Sequence, residues 1–275
     1  MPCPEEGGGA VPDLKIALIG GSGIYTYSIA GETEELVVET RYGKAQLQRG
    51  KTGDREIYFL ARHGTGHTKP PHLVNYRANI AALKKLGVEA VLSTAAVGSL
   101  HRHILPGSWV VIDQFIDFTK SRPVTFYDGS DGRVVHVDFT EPYCPELRRA
   151  LLRAGEQIRR PLLDGGCYVC TEGPRFETPA EIKAFNRLGG DVVGMTNVPE
   201  VVLAREAGLC YAALALVTNY GAGISEKMLT HEEVLEMMEE SREELNRLLM
   251  AAVEEISAVR SCRCSLPGRY WPEAE

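Results

Sequence analysis

From Lys15 to about Ala258, short apolar runs alternate with amphipathic stretches of helical period. Lys15–Ile19 (KIALI) predicts a buried strand entering the turn Gly20-Gly21-Ser22-Gly23. Glu56–Ala61 (EIYFLA), Glu89–Ser93 (EAVLS) and Trp109–Ile112 predict further strands, and GCYVCT reads the same way. A helix through Tyr76, Ile80 and Leu83 stops at Gly87, where a residue tolerant of positive φ closes the helix. Pro145 opens a second helix with Leu147, Leu151, Ala154 and Ile158 on one face, and Pro161 ends it. Thr178-Pro-Ala-Glu181 has the residues of a capping box. Thr230-His-Glu-Glu233 has those of another, which predicts one long charged helix to about Ala258. Tyr211–Thr218 (YAALALVT) is apolar almost throughout, as a central strand covered on both faces must be. Strands alternating with helices give the α/β class, a single domain over residues 13–260 with a central sheet. Residues 1–12 are expected to be a disordered leader and 261–275 a C-terminal tail.

Composition narrows the function classes. Thirty Lys+Arg against 37 Asp+Glu leave a net charge of −7, which argues against a surface that coats nucleic acid. No window approaches the ~20 apolar residues of a membrane-spanning helix. The opening MPCPEEGGGA lacks the apolar core of a secretory signal, so a cytoplasmic protein is expected. The seven cysteines are scattered and odd in number, unlike the framework of a small secreted domain. Cys167 and Cys170, three apart on a strand, point to opposite faces and are expected as small buried hydrophobes. Cys262-Arg-Cys264 leaves a strained disulfide or two thiols open. No Cys/His spacing fits zinc, and no metal is expected.

In sheets of this class, ligands gather where strands end in glycine-rich or polar loops. Such loops follow four of the predicted strands. IALIGGSGIY lacks the third glycine of a dinucleotide fingerprint and the Gly-Lys-Ser/Thr of a Walker loop. It keeps a glycine turn whose N–H groups and Ser22 hydroxyl could cradle one phosphate. ARHGTGHT places Arg62 and His63 after a strand, with His67 four residues on. The arginine fork suits an oxyanion, and the histidine adds a hydrogen bond and a titratable charge. STAAVGS, containing Ala95 and Ala96, offers small residues that admit a ligand close to the backbone. These three loops together predict an anion site. Beyond them, Phe176 could stack on a flat ring and Glu177 offers a carboxylate. Met195 provides an apolar floor and Thr196 a hydroxyl. Asn219, ending the most apolar strand, can donate and accept at the edge of a heterocycle.

IGGSGI, ARHG..HT, VNYRANI, AVGSL, IDQFIDFT..RP.TFYDG, EPYCPELR, TEGPRFET and MTNVPEVVLAREAG occur in order. With them the chain resembles the purine nucleoside phosphorylase / methylthioadenosine phosphorylase family over nearly all of residues 15–260. The resemblance implies a single-domain α/β/α sandwich with a central mixed β-sheet, assembled as a homotrimer or dimer of trimers. It implies that inorganic phosphate, a co-substrate, attacks C1′ of a purine nucleoside to give free purine and a ribose 1-phosphate, with no cofactor. The phosphate roles transfer to Ser22, Arg62, His63, Ala96 through its backbone, and Thr196. Ala95 stands where animal relatives carry Thr or Asn, so one side-chain donor is missing there. Met195 matches the methionine against the ribose and Phe176 the aromatic beside the purine.

The same resemblance discriminates among purines. Animal methylthioadenosine phosphorylases carry an Asp-x-Asp pair where this chain has Asn219 and Gly221. An ionised Asp repels a 6-oxo oxygen, whereas Asn donates to O6 and N7, so a 6-oxopurine substrate is expected. Glu177 agrees, because in 6-oxopurine enzymes its counterpart faces the N1–H of the base. At the 5′ end, His231 matches the histidine that contacts a 5′-hydroxyl. His136 and His67 follow the methylthioadenosine enzymes, His136 serving a neighbouring subunit's site. Inosine, guanosine and 5′-methylthioinosine are the expected substrates. A methylthioadenosine phosphorylase is the alternative, and a non-catalytic purine-binding protein a more distant one.

Overall fold

In the computed structural model the described residues are 14–21, 33–64, 66, 68–130, 132, 134–226 and 229–265. The leader, Ser22, His67 and the chain from Leu266 onward lie outside them. The strands are β1 (Lys15–Gly20), β2 (Glu34–Thr40), β3 (Gly43–Thr52), β4 (Arg55–Ala61), β5 (Ala90–Ser99) and β6 (Trp109–Val111). They continue with β7 (Gln114–Phe118), β8 (Leu163–Asp164), β9 (Cys167–Thr171), β10 (Val192–Gly194) and β11 (Cys210–Tyr220). The helices are α1 (Tyr76–Lys85), α2 (Pro145–Gln157), α3 (Pro179–Arg187), α4 (Asn197–Glu206), α5 (His231–Glu240) and α6 (Arg242–Glu255).

All these strands join one mixed sheet. The pairs β1–β4, β1–β5, β5–β11, β9–β10 and β7–β9 are parallel, whereas β2–β3, β3–β4, β5–β10 and β6–β11 are antiparallel. Because side chains alternate along a strand, β1 contributes Ile16 and Leu18 to one face and Ala17 and Ile19 to the other. The first face packs against α2, α5 and α6 through Leu147, Leu151, Met238, Leu245 and Leu249. The second packs against α1 and α4 through Ile80, Leu83, Val201 and Leu203. The chain is therefore an α/β/α sandwich, as the resemblance implied.

Local chemistry explains most element ends. Asn75 caps α1 by accepting from Ala78 N–H, and Gly87 takes φ +77° after it. Both halves of the Thr178–Glu181 capping box form at α3. At α5 the Thr230 hydroxyl accepts from Glu233 N–H, one half of the expected box.

Several expectations change. The long helix after Thr230 breaks at Ser241, so α5 packs on β11 while α6 lies on α2. STAAVGS is not a loop, because β5 runs on to Ser99. The β2–β3 hairpin, β7 and α4 are additions. Helix α4 is buried on nearly every side, so its sequence has no polar face from which to read a helical period. Packing extends through Cys264, which is buried. Cys144, Cys210, Cys262 and Cys264, scattered along the sequence, converge in space. None of the helices among the described residues is long and apolar enough to cross a membrane.

Candidate active site

The site begins as a break in strand pairing. Along one edge β5 is paired by β11 over its whole length. On the other edge β1 pairs only as far as Ser93, and β10 arrives from the opposite direction at Gly98. Between them, residues 94–97 have no strand partner on that edge among the described residues. A cavity of about 390 Å³ opens over the break. It is lined by Arg62, His63, Ala95, Ala96, Phe176, Glu177, Met195, Thr196, Asn219, Gly221 and His231. Every predicted site residue within the described chain, except His136, thus meets in one place. His136 is exposed and lies outside this lining, while Ser22 and His67 lie outside the described residues.

At one end of the cavity stands a buried charge network. Arg62 Nε donates to Glu200 Oε2 at 2.7 Å, and Nη2 donates to Glu200 Oε1 at 2.8 Å and to Ser93 Oγ at 2.6 Å. Nη1 donates to the Thr94 carbonyl at 3.0 Å. Glu200 also accepts from the Ser93 and Tyr211 hydroxyls at 2.8 and 2.7 Å. Burial opposes the charge on Arg62, but the Glu200 carboxylate outweighs it and holds the guanidinium above its ordinary pKa. The sequence suggested that the whole arginine fork faces an anion. Instead the fork is committed to Glu200, and by the donor inventory one Nη1 N–H remains for the cavity. Gly21 sits against that atom: a Cβ there would lie 2.9 Å from the Thr94 carbonyl oxygen and 3.2 Å from Arg62 Nη1.

Around this network the other anion-site candidates assemble. His63 Nδ1 lies 2.8 Å from the Lys69 carbonyl, which can only accept, so Nδ1 carries a proton. Thr196 precedes α4, whose start is broken by the extended backbone of Val198, and its hydroxyl makes no capping bond. Its N–H donates to the Tyr168 hydroxyl at 3.3 Å. Ala95 and Ala96 bring backbone and small side chains to the unpaired stretch of β5.

The other end suits a planar heterocycle. Asn219 follows a β-bulge after Val217. Its Oδ1 accepts from Thr218 Oγ1 at 2.8 Å, and Nδ2 donates to the Tyr220 carbonyl at 2.9 Å, leaving one amide N–H. Glu177 accepts from the Thr171 hydroxyl at 2.7 Å, and burial pushes its carboxyl above the ordinary range despite that bond. Phe176, partly exposed, borders the mouth with His231, the first residue of α5. Gly221 packs too closely for a side chain, since a Cβ would lie 2.9 Å from Ile182 Cδ1 and 3.1 Å from the Ser99 carbonyl oxygen.

Sequence reasoning missed Glu200 and Arg122. Arg122 is buried, and its guanidinium donates to the carbonyls of Met195 (2.6 Å), Val198 (2.8 Å), Thr171 (3.1 Å) and Glu172 (2.7 Å). It thereby ties the loop carrying Met195 and Thr196 to the one leading to Glu177. The available signal was its place in the FT..RP motif; nothing local marked its partners.

Comparison with known proteins agrees with this geometry. Residues 15–254 match the family model described as Phosphorylase superfamily. A Dictyoglomus turgidum protein named "Probable 6-oxopurine nucleoside phosphorylase" is 55% identical, covering 91% of this chain and 95% of that one. The "6-oxopurine nucleoside phosphorylase" of Pyrococcus furiosus is 54% identical over 91% of this chain and 96% of its own. A "Probable S-methyl-5'-thioinosine phosphorylase" of Methanothermobacter thermautotrophicus is 51% identical, covering 90% and 87%. Among solved structures, methylthioadenosine phosphorylase from Schistosoma mansoni in complex with adenine superposes with a TM-score of 0.83 at 36% identity, over 90% of this chain and 93% of that one. Ordered motifs, sandwich architecture and full-length likeness converge: the chain belongs to the phosphorylase superfamily.

Proposed function

We propose that this chain is a purine nucleoside phosphorylase that cleaves 6-oxopurine nucleosides to free purine and ribose 1-phosphate. Inosine, guanosine and 5′-methylthioinosine are its substrates, the last yielding the 5-methylthio sugar phosphate. The observation that carries this reading is an amide, Asn219, beside Glu177 at the base end of the cavity, where a carboxylate would select a 6-amino group. Relatives at about this identity named for 6-oxopurine nucleosides support it.

Glycosidic cleavage develops positive charge on the sugar and negative charge on the departing purine. Phosphate held by His63, Thr196, the remaining Arg62 N–H and the backbone at Ala96 is both the nucleophile at C1′ and the anion beside the cationic sugar. As the C1′–O bond forms and the C1′–N9 bond breaks, the electron pair moves into the purine. The Asn219 N–H meets that charge at N7 and O6, and ionised Glu177 accepts from N1–H. Met195 floors the ribose. Phosphate is the co-substrate, and the cleavage needs no cofactor. At the 5′ end, His231 suits a hydroxyl, whereas Leu229 and Val234 in the same lining suit a methylthio group. Exposed His136 serves a neighbouring copy in a homotrimer, a state that light scattering would test.

The deciding experiment measures purine release from inosine, guanosine, adenosine, methylthioadenosine and methylthioinosine, with and without phosphate. Cleavage of the 6-oxopurine nucleosides only when phosphate is present is expected. Preference for adenine nucleosides, or release without phosphate, would overturn the reading.

A further inference from the structure

Four cysteines from separate parts of the sequence meet at the end of the sheet remote from the cavity. Cys144 is the N-cap of α2, Cys210 begins β11, and Cys262 and Cys264 follow α6. Their sulfurs all lie within 4.8 Å of one another, with Cys210 Sγ 3.4 Å from Cys262 Sγ. Cys210 and Asn219 stand near opposite ends of β11, roughly 30 Å apart at the rise of an extended strand. The cluster therefore has no part in the proposed chemistry.

Its geometry suits a shared ion better than paired sulfurs. Tetrahedral zinc with bonds of ~2.3 Å sets sulfur–sulfur edges of about 3.8 Å, close to the 3.4 Å contact and inside the 4.8 Å that bounds all four sulfurs. A disulfide needs about 2.05 Å, and closing Cys262 onto Cys264 across one residue strains the ring. A cationic side chain already stands at the sulfurs. Arg205 Nη1 donates to Cys264 Sγ at 3.3 Å. A four-thiolate centre is net anionic, and the guanidinium at Cys264 offsets part of that charge.

We propose that Cys144, Cys210, Cys262 and Cys264 form a structural site for one thiophilic divalent cation, zinc foremost. Each thiol gives its proton to solvent as its sulfur–metal bond forms. The ion clips the segment after α6 to the beginnings of β11 and α2. A metal bound by the folded chain alone also raises its stability by mass action.

The test uses the full chain, prepared anaerobically without chelators, chelating resin or added metal. Elemental analysis should find about one zinc per chain, and after its release the unfolded protein should titrate all seven thiols. Replacing zinc by cobalt should give the visible d–d and thiolate charge-transfer bands of a tetrahedral four-sulfur centre. Cys262→Ser with Cys264→Ser should lose the metal, and Cys167→Ser, outside the cluster, should keep it. Should the double variant fail to fold, zinc content and the cobalt spectrum of the unaltered protein still decide. A metal-free chain that takes up no cobalt, zinc retained by the double variant, or only three titratable thiols, meaning two disulfides, would each overturn the site.

Discussion

Arg62 and Glu200 are each almost wholly removed from water, so neither charge can be altered without stranding the other. Arg62→Ala is expected to cost about 3–5 kcal/mol in urea unfolding, more than loss of a phosphate contact alone would suggest. Replacing both residues, Arg62→Met with Glu200→Leu, should recover much of that stability while the KM for phosphate stays raised. Recovery of both would show that Arg62 serves the core and not the anion. Asn219 sets the complementary test at the base. Asn219→Asp removes the amide N–H and puts a carboxylate against the charge growing on the purine. The kcat/KM for inosine should fall on the order of 10²-fold or more, and that for adenosine much less. The ratio of the two is the measurement, and an unmoved ratio would remove Asn219 from base recognition. Conversion stays partial, because the close packing at Gly221 leaves no room for a second carboxylate.

Among the elements, helices with a one-sided apolar face and strands with a short, continuous apolar run were legible in the sequence, whereas a helix buried nearly all round was not. The helices at Tyr76 and Pro145 and the strands at Lys15, Glu56 and Tyr211 stand where their periods and caps put them. Helix α4 escaped because burial on nearly every side erases amphipathicity. The continuation of β5 escaped because small residues in STAAVGS read equally well as a loop. Much of the cavity lining was legible as candidates because it follows or ends a strand: Arg62 and His63 after β4, Met195 and Thr196 after β10, and Asn219 near the end of β11. Its support was not: Glu200 and Arg122 act through partners distant in sequence. Arg122 binds two loops by charge-assisted bonds to four carbonyls, a planar arrangement that an ammonium cannot reproduce. Arg122→Lys should therefore lower kcat/KM for inosine roughly 10-fold or more through misplacement of Met195 and Thr196, without touching substrate. Unchanged kinetics with an unchanged melting temperature would deny it that positioning role.

For the molecule as a whole, buried carboxyls link folding to pH. Burial raises the pKa of Glu206 above its ordinary 4.5, although Phe126 N–H and the Thr125 hydroxyl both donate to it at 2.7 Å. The folded chain thus holds this proton more tightly than the unfolded chain. The resulting stabilisation is complete below pH 4.5 and is lost as pH rises through the raised value. Glu206→Gln keeps both hydrogen bonds after a flip of the amide and Thr125 hydroxyl, and removes the buried charge. The variant should melt higher than the parent at pH 7, and the gap should close as pH falls toward 4.5. A gap that is constant with pH would mean that Glu206 does not titrate across this range.

The interrupted pairing along β5 has a consequence for how such an enzyme changes over generations. An N–H group of the main chain is encoded by no particular codon, so point mutation cannot delete it short of introducing proline. On the proposed reading, part of the phosphate grip at Ala95 and Ala96 is of this kind, and it persists where a side-chain donor has been lost. The purine and the 5′ group, by contrast, are read by Asn219, Glu177 and His231, which single substitutions can exchange. Heritable variation then falls on the choice of nucleoside, while the capacity for phosphorolysis is shielded by the backbone.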